Sequence, residues 1–162
     1  MPTFLERRIG EVYKREGILA PHEIDIETIC GIYDIEYHEK AIPSHYILIG
    51  GMKFIIVDSR LNEYEKREQF FHELGHILFH EGKQTSFPPE KQYLQEIEAR
   101  RFSKYALIPF HMFTYIDFYS DCLVDDIVET FSVSRPIAKK RILNIKSKID
   151  SNQDKSHCNT TN

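Results

Sequence analysis

The chain has 162 residues, of which 41% are hydrophobic and 28% charged, so it is long and apolar enough for one compact domain that folds alone. The formal net charge of −4 argues against a broad electrostatic hold on nucleic acid, and no stretch approaches the roughly 18 apolar residues that a membrane span requires. The three cysteines are odd in number and lack C-x-x-C spacing, so they indicate neither a disulfide framework nor a cysteine zinc site and favour a reducing compartment. We expect a single domain over residues 1–150 in the cytoplasm and a disordered polar tail over residues 151–162.

The first part of the chain predicts two helices followed by a β-hairpin. Apolar residues at helical spacing indicate a helix over residues 3–17, and Pro21 begins a second, short helix after a break. Within residues 45–57, two runs rich in β-branched residues flank Gly50–Gly51, which is a hairpin signature. An outer strand of such a hairpin can bind an extended peptide by strand addition. Residues 58–62 then end the second strand and offer caps for the next helix.

That next helix carries an H-E-x-x-H motif, which is His72-Glu73-Leu74-Gly75-His76 in this chain. Two histidines one turn apart can both reach one zinc ion, leaving room for a third ligand and a water molecule, and Glu73 can take a proton from that water. At about 100° per residue, His72, Glu73 and His76 share one face and the apolar residues share the other. His80 lies about 12 Å along the helix from His72, so we expect it to face solvent or to support the site from outside.

The third ligand has to come from elsewhere, because the metzincin continuation is absent: Phe79 and Gly82 stand where that pattern has Gly and His. A second helix is predicted over residues 91–106, and it carries Glu96 and Glu98. Helical projection places Glu96 beside small residues, which would let the two helices approach closely, and places Glu98 beside bulky ones. We therefore choose Glu96. The alternative, an acidic solvated face paired with arginines one turn further on, is stronger for Glu98.

Residues 125–148 resemble a helix-turn-helix, with a tight turn over residues 132–134 and a basic second helix. The basic side chains that could meet phosphates are Arg135, Lys139, Lys140, Arg141, Lys146 and Lys148. Apolar residues at helical spacing offer the opposite interpretation, in which the pair packs against the rest of the domain and its charges are solvated. We favour packing, and keep a DNA-binding regulator as the weaker alternative.

Three short segments, taken in order, resemble one known family. Residues 72–76 read His-Glu-Leu-Gly-His, residues 96–103 read Glu-Ile-Glu-Ala-Arg-Arg-Phe-Ser, and residues 106–109 read Ala-Leu-Ile-Pro. This order is similar to that of the ImmA/IrrE metallopeptidases, which typically show H-E-x-G-H, then E-x-x-A-N-x-F-A, then L-L-x-P. The chain departs from the pattern at Arg100 and Ser103, and neither departure removes a proposed ligand.

The resemblance covers most of residues 20–145 and implies a zincin-like α+β domain. Its expected parts are a small antiparallel sheet or hairpin, the H-E-x-x-H helix, a following helix with the glutamate ligand, and a C-terminal helical pair. Residues 24–35 also resemble the family's lead-in, a short helix feeding a strand. By the same resemblance, Glu96 is the third ligand of a zinc ion (Zn2+) that His72 and His76 also hold.

These features predict a zinc-dependent site-specific endopeptidase in which Glu73 is the general base. The residue that stabilises the oxyanion stays open among Tyr46, Tyr93, Tyr105 and His111. Many proteins of the resembled family cut a helix-turn-helix (Xre-type) repressor of a prophage or mobile element and so derepress genes, which implies such a repressor as the partner. The alternative is a non-catalytic regulatory module that binds a repressor without cutting it, because a fold does not fix a function.

Overall fold

The computed structural model describes residues 1–79 and 88–157, with side chains as far as residue 148. The elements follow one another as α1 (Phe4–Arg15), a 3-10 turn (Pro21–Glu23), α2 (Ile26–Tyr33), β1 (Ile35–Lys40), β2 (His45–Ile49), β3 (Met52–Asp58), α3 (Glu63–Phe79), α4 (Pro89–Leu107), a 3-10 segment (Phe110–Tyr115), α5 (Leu123–Phe131) and α6 (Arg135–His157). This arrangement confirms the α+β class. Among the described helices, none is both long and apolar enough to cross a membrane.

The sheet has three strands in the order β1-β3-β2. The hairpin of β2 and β3 is antiparallel and turns at Gly50 and Gly51, whose positive φ angles of 59° and 84° suit the tight turn. On the other side of β3, β1 pairs in parallel, with Ile35 opposite Lys53. The sheet is therefore mixed, whereas an antiparallel sheet was expected. Only the first residue of β1 is fully buried, so the strand lacks the apolar alternation that marks sheet partners in a sequence.

Helix α3 lies across this sheet and presents its apolar side to the core, as its spacing predicted. Phe70, Phe71 and Leu74 are all at most 1% exposed. A reciprocal capping box begins the helix, because the Asn62 side chain accepts from the backbone N–H of Glu65 at 3.0 Å and the Glu65 carboxylate accepts from the backbone N–H of Asn62 at 3.1 Å. This confirms that residues 58–62 supply the cap.

Helices α3 and α4 pack closely where small residues face each other. A Cβ atom placed on Gly75 would lie 3.0 Å from the Cα of Ala99 and 3.1 Å from a ring carbon of Phe102. Any larger residue at position 75 would push the two helices apart, because its first contact is backbone. The close approach predicted from the small residues of α4 is thus present, and it sets the distance between the side chains that the two helices carry.

The C-terminal pair, α5 and α6, is fastened to α3. The Arg67 guanidinium donates to the backbone carbonyls of Phe131 and Ser132, and the Glu68 carboxylate accepts from the backbone N–H of Ser134 at 2.8 Å. Ser132 has a positive φ of 50°, which makes the tight turn between the helices. The interpretation of residues 125–148 as a packed helical pair is therefore confirmed.

A buried ion pair joins the two ends of the domain. Arg141 is fully buried and donates to the carboxylate of Glu6 at 2.7 Å and to the carbonyl of Ile108 at 3.0 Å, while Lys148 also donates to Glu6. Burial by itself raises the pKa of Glu6, but the hydrogen bonds from Lys148, Thr3 and Arg141 outweigh it and lower the pKa to about 2.

This pairing bears on the DNA-binding alternative. Of the basic side chains of α6, Arg141 and Lys148 are engaged by Glu6, and Arg135 is paired with Asp125. Half of the cations that could have met phosphates therefore already have protein partners. Helix α6 continues to His157, past residue 150, where the folded part was expected to end.

Candidate metal centre

Three side chains from two helices converge on one point. His72 and His76 lie one turn apart on α3, and their Nε2 atoms are 3.2 Å from each other. Glu96 reaches across from α4 with Oε2 at 3.3 Å from His72 Nε2 and Oε1 at 3.1 Å from His76 Nε2. Among the described residues, this trio is the set of His, Cys, Asp and Glu side chains whose ligand atoms lie close enough to share a metal ion.

The spacing of these atoms suits a tetrahedral ion. With metal–ligand distances of about 2.0–2.2 Å, two ligand atoms of a tetrahedral zinc site lie about 3.3–3.5 Å apart. The three distances of 3.1–3.3 Å are close to that edge length. Two neutral imidazole nitrogens that face each other at 3.2 Å also repel through their lone pairs unless a proton or a cation lies between them. The residues present therefore fit a divalent metal.

Burial favours the neutral histidines that metal binding needs. His76 is 2% exposed, and the side chain of His72 is 16% exposed. Burial lowers the pKa of His72, the carboxylate of Glu96 opposes that shift, and the positive charge of Arg100 adds to it. A lowered pKa leaves the imidazole unprotonated at neutral pH, so no proton has to be removed before it binds a metal.

Glu73 is placed as a proton acceptor beside the trio. It is only 7% exposed, and burial, together with the nearby charge of Glu96, raises the pKa of its carboxyl group to about 7. A backbone hydrogen bond from Tyr46 acts in the opposite direction. A dication held by the neighbouring side chains would also lower this pKa, because it stabilises the carboxylate.

Strand β2 forms the wall of the site opposite α4. Its residue Tyr46 stacks on the ring of His76, with ring centroids 5.8 Å apart and an angle of 21° between the planes. Burial raises the pKa of the Tyr46 hydroxyl, and the charge of Glu73 adds to the increase, so it stays a hydrogen-bond donor at neutral pH. The backbone hydrogen bond from Tyr46 to Glu73 was not predicted, because the sequence does not show which residue of β2 faces the H-E-x-x-H helix.

The other expected residues lie elsewhere. Tyr105 is buried beside Arg141, His111 packs edge-on against Tyr13, and Tyr93 is 66% exposed, so Tyr46 is the oxyanion candidate that contacts a histidine of the trio. Glu98 is not part of the trio, which agrees with the choice of Glu96. His80, expected to face solvent or to support the site, lies outside the described residues.

Comparison with known proteins gives the family. The model of the IrrE N-terminal-like domain, Peptidase_M78, matches residues 30–143. The chain belongs to this family. The resemblance to ImmA/IrrE proteins is thereby confirmed, and membership supports a metallopeptidase role and implies a metal.

Two curated relatives come from Bacillus subtilis (strain 168): Phage-like element PBSX protein XkdA and Uncharacterized protein YqaB. Each is 29% identical to this chain over 142 residues, which cover 86% of the chain. The same alignments cover 72% of XkdA and 83% of YqaB. The similarity thus extends over most of each of the three proteins.

Proposed function

We propose that this chain is a zinc-dependent, site-specific endopeptidase with His72, His76 and Glu96 as the metal ligands. The observation that carries the proposal is the convergence of their ligand atoms to within 3.3 Å of one another across two helices, beside the buried Glu73. Zinc is the metal we favour because two imidazoles and one carboxylate in near-tetrahedral spacing form a common catalytic zinc site with an open position.

Zinc bound here would act as a Lewis acid, making water acidic near neutral pH and polarising the substrate carbonyl. Glu73 takes the proton from the attacking water and returns it to the leaving amine. Its burial keeps the carboxylate poorly solvated and therefore basic. Tyr46 holds Glu73 through its backbone and His76 through its ring, and its hydroxyl is the donor we assign to the developing oxyanion.

An extended peptide can reach this site along β2. The strand is at the outside of the sheet, and its residue Tyr46 already stacks on His76. A substrate strand that pairs with β2 would therefore bring a backbone carbonyl towards the trio. This arrangement supports cleavage within a chain rather than removal of a terminal residue.

For the substrate, we propose a helix-turn-helix (Xre-type) repressor of a prophage or mobile element, whose cleavage derepresses genes. Two observations support it: the chain's membership of the IrrE N-terminal-like family and its similarity to XkdA, whose name places that protein in a phage-like element. We do not propose nucleic acid as a partner, because half of the basic residues expected on α6 are paired within the protein.

Turnover tests the proposal. Zinc-loaded chain, present at one-tenth or less of the repressor concentration, should cut the whole pool at one bond, and Glu73→Gln should bind zinc equally well and cut nothing. The repressor encoded beside the gene is the first to try, with mass spectrometry to locate the cut. Cleavage by zinc-loaded Glu73→Gln would refute the role of Glu73. If the chain and the repressor instead form a stable complex in which both stay intact, the protein is a regulatory binding module and not a peptidase.

A further inference from the structure

A cleft of about 1350 Å³ opens beside the metal centre, between α1, α3, α4 and α6. His72 contributes to its wall, so the cleft reaches one of the three proposed metal ligands. The basic side chains that line it come from three different helices and are Arg8, Arg100, Arg101, Lys104 and Lys140. We call this surface the basic cleft. Its positive charge is opposite in sign to the net charge of −4 of the whole chain.

The lowered pKa of Lys104 reflects its burial and the positive charge of this surface. Its ammonium group is partly buried, and burial together with the charges of Arg141, Arg101, Lys140 and Lys148 lowers its pKa to about 8. Its ammonium nitrogen lies 5.4 Å from the centroid of the Tyr105 ring, and within the described part of the chain no carboxylate is paired with it. A partly buried cation among other cations is unfavourable unless a negative group binds there.

The five cations of the cleft outnumber its two acidic residues, Glu68 and Glu98. One of the cations, Arg8, is also paired with Glu11 at 3.1 Å. The carboxylate of Glu68 accepts a hydrogen bond from the backbone N–H of Ser134 at 2.8 Å. Arg100 faces Glu96 at 3.7 Å, which is the proposed metal ligand. A bound metal would draw the charge of Glu96 away from Arg100 and make the cleft more positive still.

We propose that the basic cleft binds an acidic segment of the protein substrate, next to the peptide bond that is cut. The proposal rests on the proposed function and names the substrate class of the same site. Lys104 is two turns beyond Glu96 on α4, about 12 Å along the helix axis. An extended peptide covers about 3.3 Å per residue, so the acidic residues belong within about four positions of the cleaved bond.

The cleft also contains aromatic rings that a protein segment would use. Phe4, Phe79 and Phe102 line it together with the cations. A mixed wall of rings and cations suits a peptide whose apolar side chains lie between carboxylates, whereas inorganic phosphate would leave the rings without a partner. Charge complementarity and this lining together favour a protein segment over a phosphate ligand.

Direct binding tests the proposal without requiring turnover. The full-length chain, with Glu73→Gln to prevent cleavage, is titrated with a hexaglutamate peptide that carries a neutral dye, and fluorescence anisotropy is read at low salt. The zinc-loaded protein is measured first. The titration is then repeated with EDTA, because carboxylates can also bind zinc directly. Hexaglutamate should bind in both cases, and hexaglutamine with the same dye should not.

Variants identify the surface. Lys140→Gln and Lys104→Met should each weaken hexaglutamate binding by about three- to tenfold, the loss of one partly screened charge contact. Lys139→Gln is the matched control, because Lys139 is the adjacent residue, is exposed, and does not line the cleft. Circular dichroism checks that Lys104→Met is folded, and Lys140 is exposed, so its substitution tests the cleft even if Lys104→Met is not.

Three results would overturn the proposal. The first is that hexaglutamate does not bind. The second is that Lys139→Gln weakens hexaglutamate binding as much as Lys140→Gln does. The third is that tripolyphosphate or a short DNA duplex binds more tightly than hexaglutamate and depends on Lys104 and Lys140 in the same way. The two proposals can fail separately. If hexaglutamate binds but the unsubstituted chain cleaves nothing, the peptidase proposal is refuted and the basic cleft stands. If hexaglutamate does not bind and Lys140→Gln cleaves the repressor like the unsubstituted chain, the basic cleft is refuted and the peptidase stands.

Discussion

Replacing Gly75 by alanine tests whether the contact between α3 and α4 sets the geometry of the metal site. The new Cβ would lie 3.0 Å from the Cα of Ala99 and 3.3 Å from its carbonyl oxygen, so backbone rather than a flexible side chain has to move. Alanine in a helix interior is favoured over glycine by about 1 kcal/mol, but overpacking a buried contact costs about 1–3 kcal/mol. We expect a net loss of stability between about 0 and 2 kcal/mol.

Gly31→Ala is the matched control for this substitution. Gly31 lies inside α2, is exposed, and a Cβ placed there meets nothing within 4 Å. This variant should gain up to about 1 kcal/mol from helix propensity alone. The difference between the two variants therefore isolates the contact, at about 1–3 kcal/mol. Urea unfolding of both proteins in EDTA measures it without any contribution from metal binding.

The same substitution should weaken metal binding. Moving α4 away by a few tenths of an ångström would lengthen the distances of 3.1 and 3.3 Å that join Glu96 to His76 and His72. Changes behind a metal site typically cost about 10- to 100-fold in affinity, so we expect at least a tenfold loss in a zinc competition titration. A Gly75→Ala protein that is as stable as Gly31→Ala and binds zinc like the unsubstituted chain would refute the reasoning.

Two further predictions concern charges. Glu6→Gln leaves the buried Arg141 without its counter-charge and should destabilise the metal-free protein by about 3–5 kcal/mol in urea unfolding at pH 7. The pKa of Glu6 is about 2 in the folded protein against 4.5 ordinarily, so its contribution is complete above pH 4.5 and is lost as pH falls towards 2. The stability gap between the two proteins should therefore shrink below pH 4.5, and a gap that widens there would contradict this. Arg100→Asn removes a cation near Glu96 and should tighten zinc binding by about two- to fivefold at pH 7.5, since exposed charges interact by about 0.2–1 kcal/mol. Weaker zinc binding in a chelator competition would show that Arg100 supports the site.

The local part of the site could be predicted from the sequence. Helical periodicity alone put His72, Glu73 and His76 on one side of α3 and the core residues on the other. The choice of Glu96 over Glu98 followed from the small residues beside it, which the contact of Gly75 with Ala99 explains. The hairpin at Gly50–Gly51 could also be predicted, because its two strands and the turn between them are adjacent in the sequence.

Features that depend on distant residues could not be predicted. The Glu6–Arg141 pair joins residues 135 positions apart, and nothing near either residue marks it. Strand β1 pairs in parallel with β3, although its exposed, charged composition resembles a loop. Arg141 belongs to the basic stretch of α6 that could have bound phosphates, but it is buried and paired with Glu6. At this position the positive charge therefore stabilises the fold.

We propose above all that His72, His76 and Glu96 hold one zinc ion. The direct test is metal content by mass spectrometry on the purified chain beside His76→Ala, Glu96→Ala and Glu98→Ala, each checked for folding by circular dichroism. The unsubstituted chain and Glu98→Ala should carry about one zinc per chain, and the folded His76→Ala and Glu96→Ala proteins should carry almost none. Zinc kept by Glu96→Ala and lost by Glu98→Ala, or an unsubstituted chain that takes up no metal from zinc solution, would contradict the claim.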